Sequence, residues 1–388
     1  MDHLCAMAVA ISFGLCAPET TTPYFIDISA DALPAKTSAP NAMGATAADL
    51  DADGDADLVI AIEYGSNRVL LNDGFGRFRE TPLSGPSGDH EDVAVADYDR
   101  DGDLDLVFIG EDDQVLGYHL NDGEAGFSDV SERLPGRATS NTVVAVDVDG
   151  DSDIDLVTAN AGLDFVWIND GHGRFSDESA TRLPPYDDIS QDIAVGDVDG
   201  DGDADLIFGN EDQNRLYLND GAGHFAEALL PLRTTPEETR DADLADVDGD
   251  DDLDLYFANV RIFNADRDQQ DRLLLNDGSG RFTDATATHL EPDDELTTSV
   301  AFIDYDRDGD LDLIRGRMGD LRAGRSDFGL LAFANDGDGR FTAAPDVIPS
   351  GTGANAFDIE VADVNGDGRF DLFVASRGGP DRLLIGLK

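Results

Sequence analysis

Seven times along the 388 residues, carboxylates recur at the odd positions of a nine-residue stretch that runs directly into an apolar segment. The clearest copy is Asp197-Val198-Asp199-Gly200-Asp201-Gly202-Asp203-Ala204-Asp205, followed by Leu206-Ile207-Phe208. In a tight loop, side chains at positions 1, 3, 5 and 9 can point to one centre, position 7 adds its carbonyl, and glycine at position 6 permits the bend. Acids this close repel one another unless a cation lies between them. An all-oxygen donor set without Cys or His argues against zinc and copper; Mg²⁺ fits the oxygens but prefers to keep several waters, so Ca²⁺ is the ion expected.

The expected ligands are Asp49, Asp51, Asp53 and Asp57 in the first copy; Asp97, Asp99, Asp101 and Asp105 in the second; Asp147, Asp149, Asp151 and Asp155 in the third. Asp197, Asp199, Asp201 and Asp205 follow, then Asp246, Asp248, Asp250 and Asp254, then Asp304, Asp306, Asp308 and Asp312. The last copy offers Asp363, Asn365, Asp367 and Asp371. Ser152 and Asp251 replace the position-6 glycine in copies three and five, while Asn365 removes a charge from copy seven and Arg369 adds an opposing one. Up to seven Ca²⁺ ions, one per copy, are expected to stabilise the chain. A helix-loop-helix calcium site would need an acid at position 12, where Ile60, Phe108, Thr158, Phe208, Phe257, Arg315 and Val374 stand instead.

These loops have to be held by a repeated element. Their starts are spaced 48, 50, 50, 49, 58 and 59 residues apart, and the order of features within each interval is constant. An alternating apolar run such as Val93-Ala94-Val95-Ala96 precedes the loop, and a second run such as Leu104-Asp105-Leu106-Val107-Phe108 follows it. A third run ends in Asn-Asp-Gly, as in Leu70-Leu71-Asn72-Asp73-Gly74, which is a hairpin signal. Phe78, Phe127, Phe175, Phe225, Phe282 and Phe341 open a fourth run. Four short antiparallel strands per unit of about 50 residues predict an all-β fold, a seven-bladed β-propeller of four-stranded antiparallel blades. The seventh unit ends in its third strand, at Leu383-Leu384-Ile385-Gly386-Leu387-Lys388. Phe25-Ile26-Asp27-Ile28-Ser29 matches the fourth-strand pattern Phe127-Ser128-Asp129-Val130-Ser131, so the N-terminal strand is expected to complete blade seven and close the ring.

Asp-x-Asp-x-Asp-Gly-x-x-Asp before a strand, with Asn-Asp-Gly-x-Gly-x-Phe later in each unit, resembles the FG-GAP/VCBS repeat family, the calcium-binding propeller repeats shared with integrin α-subunits. The resemblance covers residues 24–388 and implies a seven-bladed propeller, calcium in the loop between first and second strands, and an extracellular setting.

The formal charge is −57, from 83 acidic and 26 basic residues. Setting the loops aside leaves 49 acidic against 23 basic residues, so metal binding does not account for all the acidity. Solubility through net repulsion and adaptation to a salty environment both fit the surplus, and only Lys36 and Lys388 are lysines. Nucleic acid and anionic membrane would be repelled. Both cysteines, Cys5 and Cys16, fall in an apolar opening segment, so the repeat body can form no disulfide. Residues 1–17 are expected to be a secretory signal despite Asp2 and His3 at its start, 18–23 a linker, and 24–388 one domain. No other stretch is apolar and long enough to span a bilayer. A secreted or cell-surface monomer is expected.

Binding is expected on the face opposite the acidic loops. Two connections between second and third strands are long there, Val260 to Asp271 and Gly316 to Gly329. The latter region carries Arg315, Arg317, Arg322 and Arg325, with Arg261, Arg267 and Arg272 at the former. Such a patch would bind an anionic or glycan ligand, on an extracellular protein or a polysaccharide, unless the arginines only neutralise neighbouring acids. The competing function is a carbohydrate-active enzyme of the polysaccharide-lyase kind. No catalytic constellation stands out, because His119 reads as packing, His172 and His224 sit in hairpin turns, and only His90 and His289 could face the arginine side.

Overall fold

The computed structural model describes residues 23–35, 41–85, 87–232, 236–292, 294–319, 328–350 and 355–387. Residues 1–17 and the segment carrying Arg322 and Arg325 lie outside them. The strands fall into seven antiparallel groups of four, the third and fourth joined into one eight-stranded sheet where Ala161 and Gly162 pair with Ile189 and Asp188, and each second strand begins at the position-9 aspartate of its loop. The seven first strands are Asn41–Ala48, His90–Ala96, Ser140–Val146, Asp188–Gly196, Thr239–Ala245, Leu296–Ile303 and Asn355–Ala362. Each lies beside the next, and Asn355–Ala362 returns to Asn41–Ala48, so these strands line a central channel. The order of strand, loop, strand and hairpin is the expected one, but the second strand of the sixth unit runs on to Met318, past Gly316 where the long connection was expected to begin. In the seventh, Phe25–Asp27 pairs with Arg382–Gly386 as the fourth strand.

That pairing repeats a local chemistry found in other blades. Asp27 Oδ1 accepts the Ser29 amide, and Ser29 Oγ in turn accepts the Leu383 amide at 2.8 Å. Asp129 with Ser131, Asp177 with Ser179 and Asp284 with Thr286 do the same for Tyr118, Val166 and Leu273. The carboxylate holds the hydroxyl where the third strand needs an acceptor, and the chain then turns through one short helical turn.

The apolar core is divided between blades. Seven clusters each join two neighbours, one at every junction. The position-2 residue of each acidic loop (Leu50, Tyr98, Val148, Val198, Val247, Tyr305 or Val364) is buried in one of them. The phenylalanine that opens the fourth strand of the following blade packs into the same cluster, as Phe175 does against Tyr98 at a ring separation of 5.6 Å. The loop is therefore tied to the next blade by its own second residue.

Candidate metal loops and the opposite rim

The loop geometry follows from backbone amides seeking acceptors. Position 1 takes two: Asp49 Oδ1 accepts the Asp53 amide at 3.1 Å and Oδ2 the Gly54 amide at 3.0 Å. Position 9 pins both ends. Asp57 Oδ2 accepts the Leu50 amide at 3.0 Å and Oδ1 the Asn72 amide at 2.7 Å, and the same pair of bonds recurs in every blade, with Gly386 supplying the second amide in blade seven. Burial pushes the position-9 carboxyls up, to about 6 for Asp57 and about 7 for Asp105 and Asp155.

Positive φ is needed at position 4 as well as at position 6, a demand the spacing did not reveal. Ala52, Arg100 and Arg307 hold φ of 58°, 61° and 64° at position 4. Ser152 and Asp251 keep φ of 70° at position 6, so the two departures from glycine preserve the bend and carry its strain.

The carboxylates converge. Ligand atoms of Asp49, Asp51 and Asp53 lie within 4.8 Å of one another, as do those of Asp97, Asp99 and Asp105 and of Asp147, Asp149 and Asp155. At position 3, Oδ1 of Asp51, Asp99, Asp149 and Asp248 is buried with no hydrogen-bond partner. Burial first, and then the neighbouring acids at positions 1 and 5, raise the pKa of these four aspartates. Clustered oxygens with a buried, unsatisfied member fit a hard divalent cation. In loop seven Arg369 donates to Asp367 Oδ2, the position-5 carboxylate, at 3.0 Å.

The Asn-Asp-Gly signal does more than turn a hairpin. Asn169 Nδ2 donates to the Ile154 carbonyl of its own loop at 3.0 Å and to the Tyr98 carbonyl of the preceding blade's loop at 2.9 Å. Asn72, Asn121, Asn219, Asn276 and Asn335 make the same two bonds, so six junctions carry an amide staple between adjacent acidic loops. The seventh cannot, because a Cβ on Gly386 would lie 2.5 Å from the Phe370 carbonyl oxygen. Tyr24 instead packs edge-on against Tyr305 there, with ring centroids 5.0 Å apart.

The opposite rim corrects the arginine assignment. Arg315 is no surface-loop residue: it lies inside the strand Asp312–Met318, is 4% exposed, and pairs with the buried Asp271 at 2.7 Å beneath the Phe333 ring. Arg317 belongs to the same strand and pairs with Glu295 at 3.0 Å. Arg272 is buried between Glu237 and Asp268, and Arg267 pairs with Asp212. These cations are spread over separate ion pairs rather than gathered in one pocket, because each sits within reach of an acid of its own or an adjacent connection.

His289 also moves. It ends the short helix Thr286–His289 and lies beside Gly339, in the hairpin turn on the acidic-loop face. His90 is fully buried against Phe108, and burial lowers it to about 4. His119 packs in its strand against the same ring, as expected.

What the rim does present is a central cavity of about 540 Å³ at the mouth of the channel. Its walls include Glu91, Asp92, Glu111, Asp192, Arg240, Asp241, Phe263, Met318, Phe357, Asp358 and Arg377. Arg240 is shared among Gln191, Glu211 and Glu238 with its guanidinium 5.1 Å from the Phe263 ring centre, and Arg377 lies 5.4 Å from that of Phe357. Burial, then Glu111, Asp89 and Glu63, push Glu91 up to about 9. Sequence reasoning missed this site because its residues come from all seven blades. One signal was present: Asp92, Asp192, Asp241 and Asp358 each stand five residues before an acidic loop.

A sequence model of FG-GAP-like repeats matches residues 49–108, 147–208, 197–257, 261–314 and 322–374. No curated protein matches the chain by sequence. Among solved structures, a lectin of Agrocybe aegerita, described as recognising non-reducing terminal N-acetylglucosamine, aligns with a TM-score of 0.55 at 19% identity, over 87% of this chain and 86% of the lectin. Virginiamycin B lyase from Staphylococcus aureus aligns with a TM-score of 0.59 at 14% identity, over 94% and 99% of the two chains. The extracellular domain of a one-component system from B. thetaiotaomicron aligns with a TM-score of 0.53 at 11% identity, over 89% of this chain and 38% of that one. At these identities the likeness is one of fold.

Proposed function

Because the chain belongs to the family of FG-GAP-like repeats, we propose that it is an exported binding module, stabilised by Ca²⁺ in its acidic loops, that takes a glycan at the opposite rim. The observation that carries the reading is the central cavity, where Phe263 and Phe357 offer faces for a sugar ring and carboxylates and guanidinia offer hydrogen bonds to hydroxyls. Of the anionic and glycan ligands expected, surplus carboxylates in the lining make an uncharged glycan terminus the better guest, since both rim arginines already touch acids. The lectin and extracellular-domain likenesses support a binding role outside the cell. His90, expected as a candidate base for a lyase on this side, is sealed in the core.

A glycan array followed by calorimetry tests the assignment. Phe263→Ala and Phe357→Ala should each weaken a bound glycan at least about tenfold, roughly 1.4 kcal/mol. Phe75→Ala, an exposed residue of a hairpin turn on the acidic-loop face, should leave it unchanged. Binding lost only in Phe75→Ala, or no glycan bound at all, would overturn it. For the loops, Ca²⁺ removal restores mutual repulsion of the carboxylates, so excess chelator should lower the melting temperature by roughly 10 °C or more. An unchanged melting curve would refute the calcium assignment.

A further inference from the structure

A second group of carboxylates gathers on the wall of the rim cavity, between blades one and two. Glu63 ends the strand Asp57–Glu63, Asp89 and Glu91 flank the start of His90–Ala96, and Glu111 and Asp112 follow Asp105–Gly110. Ligand oxygens of Glu63, Asp89 and Glu91 lie within 4.8 Å of one another, and so do those of Asp89, Glu111 and Asp112. Asp89 is common to both sets. It is fully buried; Oδ2 accepts the Asp112 amide at 3.0 Å, while Oδ1 is buried with no hydrogen-bond partner. Glu91 Oε1 is likewise buried and unpartnered. The charges and donors already present serve the edges of the group. Arg377 Nε donates to Glu63 Oε2 at 3.0 Å, Asn41 Nδ2 donates to the same oxygen, and the Tyr64 hydroxyl donates to Asp112 Oδ2 at 2.7 Å.

We propose that Asp89, Glu91, Glu111 and Asp112, backed by Glu63, hold a hard divalent cation at the rim opposite the nine-residue loops. Buried carboxylate oxygens without a donor are disfavoured unless a positive charge meets them, and an all-oxygen donor set selects the Ca²⁺ class of ion. The donors come from two blades, so no spacing in the sequence announces the site. Glu91 and Glu111 also line the cavity, which places the ion where a ligand could share its coordination. The site itself does not depend on what the cavity binds.

Crystals of the full chain equilibrated with Mn²⁺ and measured for anomalous scattering test the proposal. A peak beside Asp89, in addition to those in the acidic loops, is expected. Asp89→Asn should abolish that peak alone and reduce bound metal by one ion per chain in elemental analysis. Should Asp89→Asn fail to fold, Glu111→Gln, at a less buried position, should give the same loss. No peak beside Asp89 in crystals whose loops are filled would overturn the proposal.

Discussion

At the scale of single residues, the same side chains serve two ends. In loops two and three the position-9 aspartates, Asp105 and Asp155, lie among the clustered carboxylates, and they also accept the amides that fix where the loop starts and where the third strand stops. The hairpin asparagines extend that network across the junction, and their value can be measured. Asn169 is 3% exposed and its side chain meets two carbonyls in neighbouring blades as well as the Gly171 amide at 3.2 Å. Asn169→Ala leaves those backbone groups buried without partners, which should cost about 2–3 kcal/mol. Urea denaturation would report it, and a midpoint equal to that of the parent would show that the staple contributes nothing. Asn was legible as a turn former from its place before Asp-Gly. Its reach into the preceding blade was not, because that contact joins residues 71 apart that only the ring brings together.

At the scale of the element, the pattern of each blade was readable almost entirely, since loop, hairpin and phenylalanine mark its strand boundaries. Completion of blade seven by the N-terminal strand is legible in the likeness of Phe25-Ile26-Asp27-Ile28-Ser29 to other fourth strands, and its Asp27 and Ser29 bonds repeat those of the blades that carry the same motif. What failed was the division between strand and loop in blade six, where the second strand runs on to Met318 and carries Arg315 into the core. Arginine in a loop-length interval reads as surface, and only the position of Asp271 in the adjoining blade explains its burial. The closing strand should be as important as any other. Phe25 is 1% exposed in the cluster that joins blades six and seven. Phe25→Ala should destabilise by about 3–5 kcal/mol, close to what Phe175→Ala costs at an ordinary junction. If thermal unfolding showed Phe25→Ala to be nearly silent, the N-terminal strand would be an accessory rather than part of the ring.

At the scale of the molecule, the acidity left after the loops are counted has a structural use. The first strands face the channel and expose amides that no neighbouring strand satisfies. Carboxylates of one blade accept them from the next: Asp92 from Val143, Asp192 from Ala242, Asp241 from Val300, and Asp358 and Glu360 from Ala45 and Ala47 across the closing junction. Crowding acids around a narrow channel makes ionisation costly. Burial pushes Glu360 and Asp243 up to about 7 and Asp92 to about 6, while Asp241 and Asp358 rise well above the usual range through burial and then neighbouring acids. A carboxyl raised in the folded state favours folding fully at pH values below its unfolded pKa, and that contribution is lost as pH rises through the folded one. Glu360→Gln retains an oxygen for the Ala47 amide and removes the titration. In saturating Ca²⁺, wild type and Glu360→Gln should have similar urea midpoints near pH 4.5, the ordinary value for glutamate. Wild type should then fall behind through pH 7, by on the order of 1–2 kcal/mol once channel water has screened part of the shift. A gap independent of pH would mean that Glu360 is already ionised at no cost. The inner acids would then be passengers of the overall charge and not the groups that join the first strands into a ring.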